Sequence, residues 1–112
     1  MFRYKGIQPP PLTEKQLRKL ISEALDEAVD YSNLETFHAR FGHVERGLQI
    51  DDVIHGLELQ WKFERSPMFN KDSWQWKYYI DTESVDGKPM TVIVAVDTLD
   101  RSFEVITRWR QR

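Results

Sequence analysis

The chain has 112 residues, of which 40% are hydrophobic, 30% charged and 12% aromatic, enough for one core, too few for a second, and too apolar for a disordered tail. The absence of cysteine excludes disulfides, thiolate metal sites and a cysteine nucleophile. The net charge of −2 is unevenly placed: residues 1–59 hold seven Lys/Arg against ten Asp/Glu (−3), and residues 60–112 nine against eight (+1).

Residues 1–12 read as an extended arm, because Pro9-Pro10-Pro11 favours a polyproline conformation. Residues 13–112 read as a single domain. No apolar stretch follows Met1–Lys5, so no secretory signal is visible. The longest purely apolar run, Val92–Val96, is far too short to cross a bilayer. A cytoplasmic location with no membrane partner is the expectation.

Thr13 and Gln16 form a capping box with Leu12 and Leu17 as its hydrophobic staple, and Leu17, Leu20, Ile21, Ala24, Leu25 and Ala28 recur at helical spacing. This predicts a helix over 13–30. Its outer face, with Glu23, Asp26, Glu27 and Asp30, is a solvated face or a docking surface for a basic partner. Ser32 and Glu35 form a second capping box. Leu34, Phe37, Phe41, Val44 and Leu48 behind it predict a helix over 34–46, with Gly47 as its C-cap. Asp51 can cap a short third helix over 51–57, on which His55 reads as a surface residue.

From Leu59 the period changes to two. Leu59, Trp61 and Phe63 alternate with polar residues, as do Trp74, Trp76, Tyr78 and Ile80, while Met90–Val96 is apolar on both faces. Phe103, Val105, Thr107 and Trp109 alternate with Glu104, Ile106, Arg108 and Arg110. Asp86-Gly87 and Leu99-Asp100-Arg101 mark tight connections. The predicted architecture is α+β: two long helices and one short, packed on a four-stranded antiparallel sheet whose other face is open. Trp61, Trp76 and Tyr78 are predicted to pack beneath Leu20, Ile21, Phe37 and Phe41.

The predicted second helix carries the densest cluster of reactive side chains. At helical spacing His38, Gly42, Glu45 and Arg46 share one stripe beside the core. A histidine beside an arginine there is an acid/base and anion-binding pair, or else a core-boundary histidine bonded to a neighbouring segment. Gly42 in mid-helix, costing about 1 kcal/mol relative to Ala, marks a close approach. Arg40 and His43 lie on the adjacent stripe as accessory phosphate contacts. His38 and His43 are five apart and no H-E-x-x-H pattern occurs, so no metal is expected. The glycines are scattered, so no nucleotide cofactor is expected either. On the open sheet face Lys62, Lys77, Tyr79, Arg108 and Arg110 would point the same way. That set suits RNA, or is simply a solvated sheet face.

His38-Ala39, Arg46-Gly47-Leu48 eight residues on, Asp52-Val53 and the late Val105-Ile106-Thr107 resemble the bacterial domain-of-unknown-function 4258 family over about residues 34–110. That family is grouped with the RelE-like and barnase-like toxin fold. The resemblance implies a RelE-like α+β fold and a metal-independent ribonuclease, with no cofactor. Such an enzyme needs a base for the 2′-hydroxyl, cations for the phosphorane and an acid for the leaving oxygen. His38, Arg46 and Thr107 fall on the family's motif positions and become the catalytic candidates. The family's first arginine falls on Gly42, which favours the alternative, a non-catalytic binding module. The implied partners are RNA, an antitoxin or other small protein, or a second copy of the chain.

Overall fold

The structure, a computed structural model, describes residues 9–25, 38–97 and 102–109, without the side chains of His38 and His43. Helix α1, Glu14–Leu25, starts at the predicted capping box. The Thr13 amide donates to the Gln16 side-chain oxygen at 2.9 Å, and the Gln16 amide donates to the Thr13 hydroxyl at 3.2 Å. Leu17, Ile21 and Ala24 form its buried stripe. Residues 26–30, the rest of this predicted helix, lie outside the described residues.

The helix predicted over 34–46 is not formed. Residues 34–37 lie outside the described residues, and His38–Val44 is a strand, β1. It runs parallel to the last strand, β6 (Ser102–Trp109). Phe41 and Val44 are three apart, a helical spacing, yet they pair with Val105 and Thr107, which are two apart. One extra residue is accommodated in a bulge between Phe41 and Val44. It returns Val44 to the core side, where Ala39 and Phe41 already pack. The strand also relieves Gly42 of its cost in a helix, and a Cβ there would stand 3.2 Å from Glu104 Cγ. Gly47, read as a helix C-cap, instead turns the chain out of β1 with φ +91°.

Helix α2, Ile50–Glu58, follows, one residue longer at each end than the 51–57 prediction. The Gln49 amide donates to the Asp52 carboxylate at 2.9 Å, so Asp52 holds the helix start rather than Asp51. Strands β2 (Lys62–Phe63) and β3 (Met68–Asn70) both lie along β4 (Gln75–Glu83). Glu64–Pro67, with a proline that lacks an amide donor, divides them. Strands β4, β5 (Pro89–Asp97) and β6 then form the expected antiparallel meander. The sheet runs β1-β6-β5-β4-β2, with β3 also on β4. Six strands in a mixed sheet, with two helices among the described residues, replace the expected RelE-like arrangement of four antiparallel strands under three helices.

Both described helices contribute to a core that includes Leu17, Ile21, Val53, Trp61, Tyr78 and Phe103. Trp61 and Tyr78 are buried there as predicted, whereas Trp76, Leu20 and Phe41 are half-buried at its margin. Phe37 lies outside the described residues. His55, read as a surface residue, is half-buried.

Candidate functional site on the sheet face opposite α1 and α2

Alternation along β4, β5 and β6 sorts their side chains between two faces. Tyr78, Ile80, Val92, Val94, Phe103 and Val105 face the helices and are buried. The opposite face, against which no described helix packs, forms a grid of three rows by three strands. Asp81, Thr91 and Arg108 make one row, Tyr79, Ile93 and Ile106 the next, and Lys77, Ala95 and Glu104 the third. Lys62, opposite Asp81, extends the first row, while Met68, opposite Lys77, and Arg40, opposite Glu104, extend the third.

Polar contacts stiffen this face. Thr91 Oγ1 donates to Glu64 Oε2 at 2.8 Å, and Arg65 stands 3.5 Å from Glu64 and 4.5 Å above the Tyr79 ring. The Thr91 hydrogen bond is the main reason that the Glu64 carboxyl sits below its ordinary pKa, with Arg65 and the more distant Arg108 adding to the shift and partial burial opposing it. Arg40 donates to the Ser102 hydroxyl at 3.0 Å, and the Gln75 amide to Asp97 at 3.4 Å.

The predicted site residues divide into groups. Lys62, Lys77, Tyr79 and Arg108 share the open face, and Arg40 joins them from β1. Arg110 lies outside the described residues. The catalytic candidates do not converge. His38 begins β1, opposite Ser102, and Arg46 stands in the exposed turn beyond its far end, where its carbonyl accepts the Trp109 indole at 3.1 Å. On a helix the two would have shared a stripe; as an extended strand, β1 alone places about 20 Å between them. Thr107 is fully buried on the helix-side face, and its hydroxyl has no hydrogen-bond partner among the described residues. His43 falls in the bulge region of β1.

Reading the sequence missed Arg65, Ile93 and Ile106. Ile106 left a signal, an aliphatic residue in the polar register between Glu104 and Arg108. Arg65 left none, because it belongs to the break between β2 and β3.

Among the described residues, the basic side chains on this face are Arg40, Lys62, Arg65, Lys77 and Arg108, and the acidic ones Glu64, Asp81, Glu83, Glu104 and the buried Asp97. An open cleft of about 370 Å³ at the sheet edge is lined by Leu59, Gln60, Asp81, Thr82 and Glu83. Among the described residues no three of His, Asp or Glu gather closely enough to hold a metal ion. No described helix is long and apolar enough to cross a membrane. Comparison with protein-family models, with curated proteins and with solved structures gives no significant match.

Proposed function

We propose that the protein is a non-catalytic interaction module that binds a protein partner through the sheet face opposite α1 and α2. The observation that carries this reading is the row at the centre of the grid. Half-buried Tyr79, Ile93 and Ile106 run across the strands, with Arg65 over the Tyr79 ring and charged side chains in the rows on either side. An apolar centre inside a charged rim is the anatomy of a protein interface. A nucleic-acid surface differs, because affinity for phosphate grows with the cations presented. Among the described residues of this face the basic groups are matched in number by acidic ones.

The competing reading is the ribonuclease implied by the family resemblance. It needs a base, a cation and an acid around one phosphate, and the positions of Arg46 and Thr107 do not supply that constellation. The test is a photo-crosslinking amino acid placed at Ile106 or, as a control, at Glu23 on the exposed side of α1. Irradiated in the cells that make the protein, the Ile106 variant should join a polypeptide and the Glu23 variant should not. RNA adducts at Ile106, or cleavage of RNA by the purified protein, would overturn the proposal.

A further inference from the structure

On the helix side of the sheet, away from the surface proposed above, two rings hold the chain's own proline arm. Trp76 and Tyr78 are two residues apart on β4, so they leave the same face about 7 Å from each other. The Trp76 indole N–H donates to the Pro9 carbonyl at 2.7 Å, and the Tyr78 hydroxyl accepts the Leu12 amide at 2.8 Å. Pro9-Pro10-Pro11-Leu12 is thus gripped at both ends. Pro9 and Pro10 each precede a proline, which holds φ at about −65° and ψ in the extended region. That is the polyproline II conformation, which makes no internal hydrogen bonds and turns once in three residues. Its backbone carbonyls and amides are open to a partner, and residues three apart lie on one side. We infer that Trp76 and Tyr78 form a binding site for proline-rich segments of partner proteins, which the chain's own arm occupies until such a segment displaces it.

Both hydrogen bonds engage backbone atoms, which any Pro-Pro-Pro-Leu segment offers. Pro10 and Pro11 are exposed; they set the conformation and fill no cavity. Docking a preformed, low-entropy polyproline segment on aromatic rings is a recurring mode of peptide recognition. The aromatic side is prepared for it. Phe69 stands edge-on to Trp76 at 5.2 Å and to Trp74 at 4.9 Å, which fixes the indole. Trp74 is itself held at φ +55°, a region that bulky residues rarely enter. The Asn70 side-chain oxygen closes the preceding turn by accepting the Asp72 and Ser73 amides at 2.9 and 3.3 Å. The arm can leave without α1, because the Thr13–Gln16 box starts the helix from within, and Glu14, Leu17 and Arg18 anchor it separately. Leu12, packed at the margin of the core, leaves with the arm, and the leucine of the incoming segment takes its place. The fourth residue must carry an N–H for Tyr78, so a fourth proline is disfavoured.

The measurement is proton–nitrogen NMR of the full chain, with the Trp76 indole signal assigned by its loss in Trp76→Phe. Pro9→Gly, Pro10→Gly and Pro11→Gly combined should loosen the arm and move that signal to the position of an unbonded indole. An acetylated peptide of residues 8–13, Gln-Pro-Pro-Pro-Leu-Thr, should return it to the wild-type position. The peptide should bind this variant at least about tenfold more tightly than the wild type, whose tethered arm competes at a roughly millimolar effective concentration. The same peptide with an ester oxygen in place of its leucine N–H should bind several-fold more weakly, because Tyr78 then loses its donor. An indole signal that the glycines leave in place would overturn the inference, as would a peptide that fails to return it or binds variant and wild type equally. If the glycine variant does not fold, the wild type decides. Its Leu12 amide signal should move toward that of a free chain as the peptide is raised to about 10 mM, and a signal that stays fixed overturns the inference.

Discussion

The Thr107 hydroxyl is buried without a hydrogen-bond partner among the described residues, flanked on the sheet by Val44 and Val92. A buried hydroxyl that donates to nothing carries its desolvation cost uncompensated, whereas a methyl of the same shape does not. Thr107→Val should therefore leave stability unchanged or raise it by about 1 kcal/mol, read from the midpoint of urea unfolding. A loss exceeding about 1 kcal/mol would show that the hydroxyl is engaged after all. Gly56 makes the opposite case. A Cβ on this α2 residue would stand 2.9 Å from Thr82 Cγ2, 3.0 Å from the Glu83 carbonyl oxygen and against the Met90 methyl, while Thr82 Oγ1 donates to the Gly56 carbonyl at 2.7 Å. On an exposed helix Gly→Ala gains about 1 kcal/mol. Here overpacking outweighs the gain, and Gly56→Ala should cost about 1–3 kcal/mol in the same measurement. A net gain would mean that α2 can ride further from the sheet.

Elements differ in how plainly their residues announce them. The α1 capping box is local chemistry and reads directly from Thr13 and Gln16. The period of two in β4 and β6 and the Asp86-Gly87 turn, where Gly87 takes φ +80°, are equally local. β1 is not, because its bulge gives a strand the i, i+3 apolar spacing of a helix, and only the parallel ladder to β6, some sixty residues on, decides between them. Gly42 was the available warning, since the helix reading had to accept it in mid-helix. The candidate surface was legible in part: Lys62, Lys77, Tyr79 and Arg108 follow from alternation. The rows of the grid depend on register between strands, which no segment specifies alone. Asp52 shows an element held from outside its own segment, for one carboxylate oxygen accepts from Gln49 and the other from the Val85 amide in the β4–β5 turn at 3.1 Å. Asp52→Ala should cost about 1–2 kcal/mol and speed amide exchange at both Gln49 and Val85, leaving β6 protected. Faster exchange at Gln49 alone would separate the turn from the helix cap.

At the scale of the whole molecule, residues 9–18 tie the helical layer to one side of the sheet. Trp76 donates its indole N–H to the Pro9 carbonyl at 2.7 Å, and the Leu12 amide donates to the Tyr78 hydroxyl at 2.8 Å. Glu14 then accepts the Phe63 amide at 2.6 Å, and Arg18 donates to the Trp61 carbonyl at 2.7 Å while lying 4.6 Å over the Trp61 ring. These contacts occupy backbone groups beside β2, a way of guarding a sheet edge. Tyr78 is buried, and its burial pushes the phenol pKa up, with the Leu12 hydrogen bond opposing the shift. The fold thus favours the neutral phenol. Its contribution to stability is complete below the unfolded value of about 10 and is lost as pH rises through the higher folded value. Tyr78→Phe should cost about 1–2 kcal/mol near neutral pH by leaving the Leu12 amide without its acceptor. It should also remove this alkaline component, so that the stability gap between wild type and variant narrows above about pH 10. Urea unfolding of both proteins across that range measures the gap, and parallel curves would show that the phenol is not held neutral by the fold.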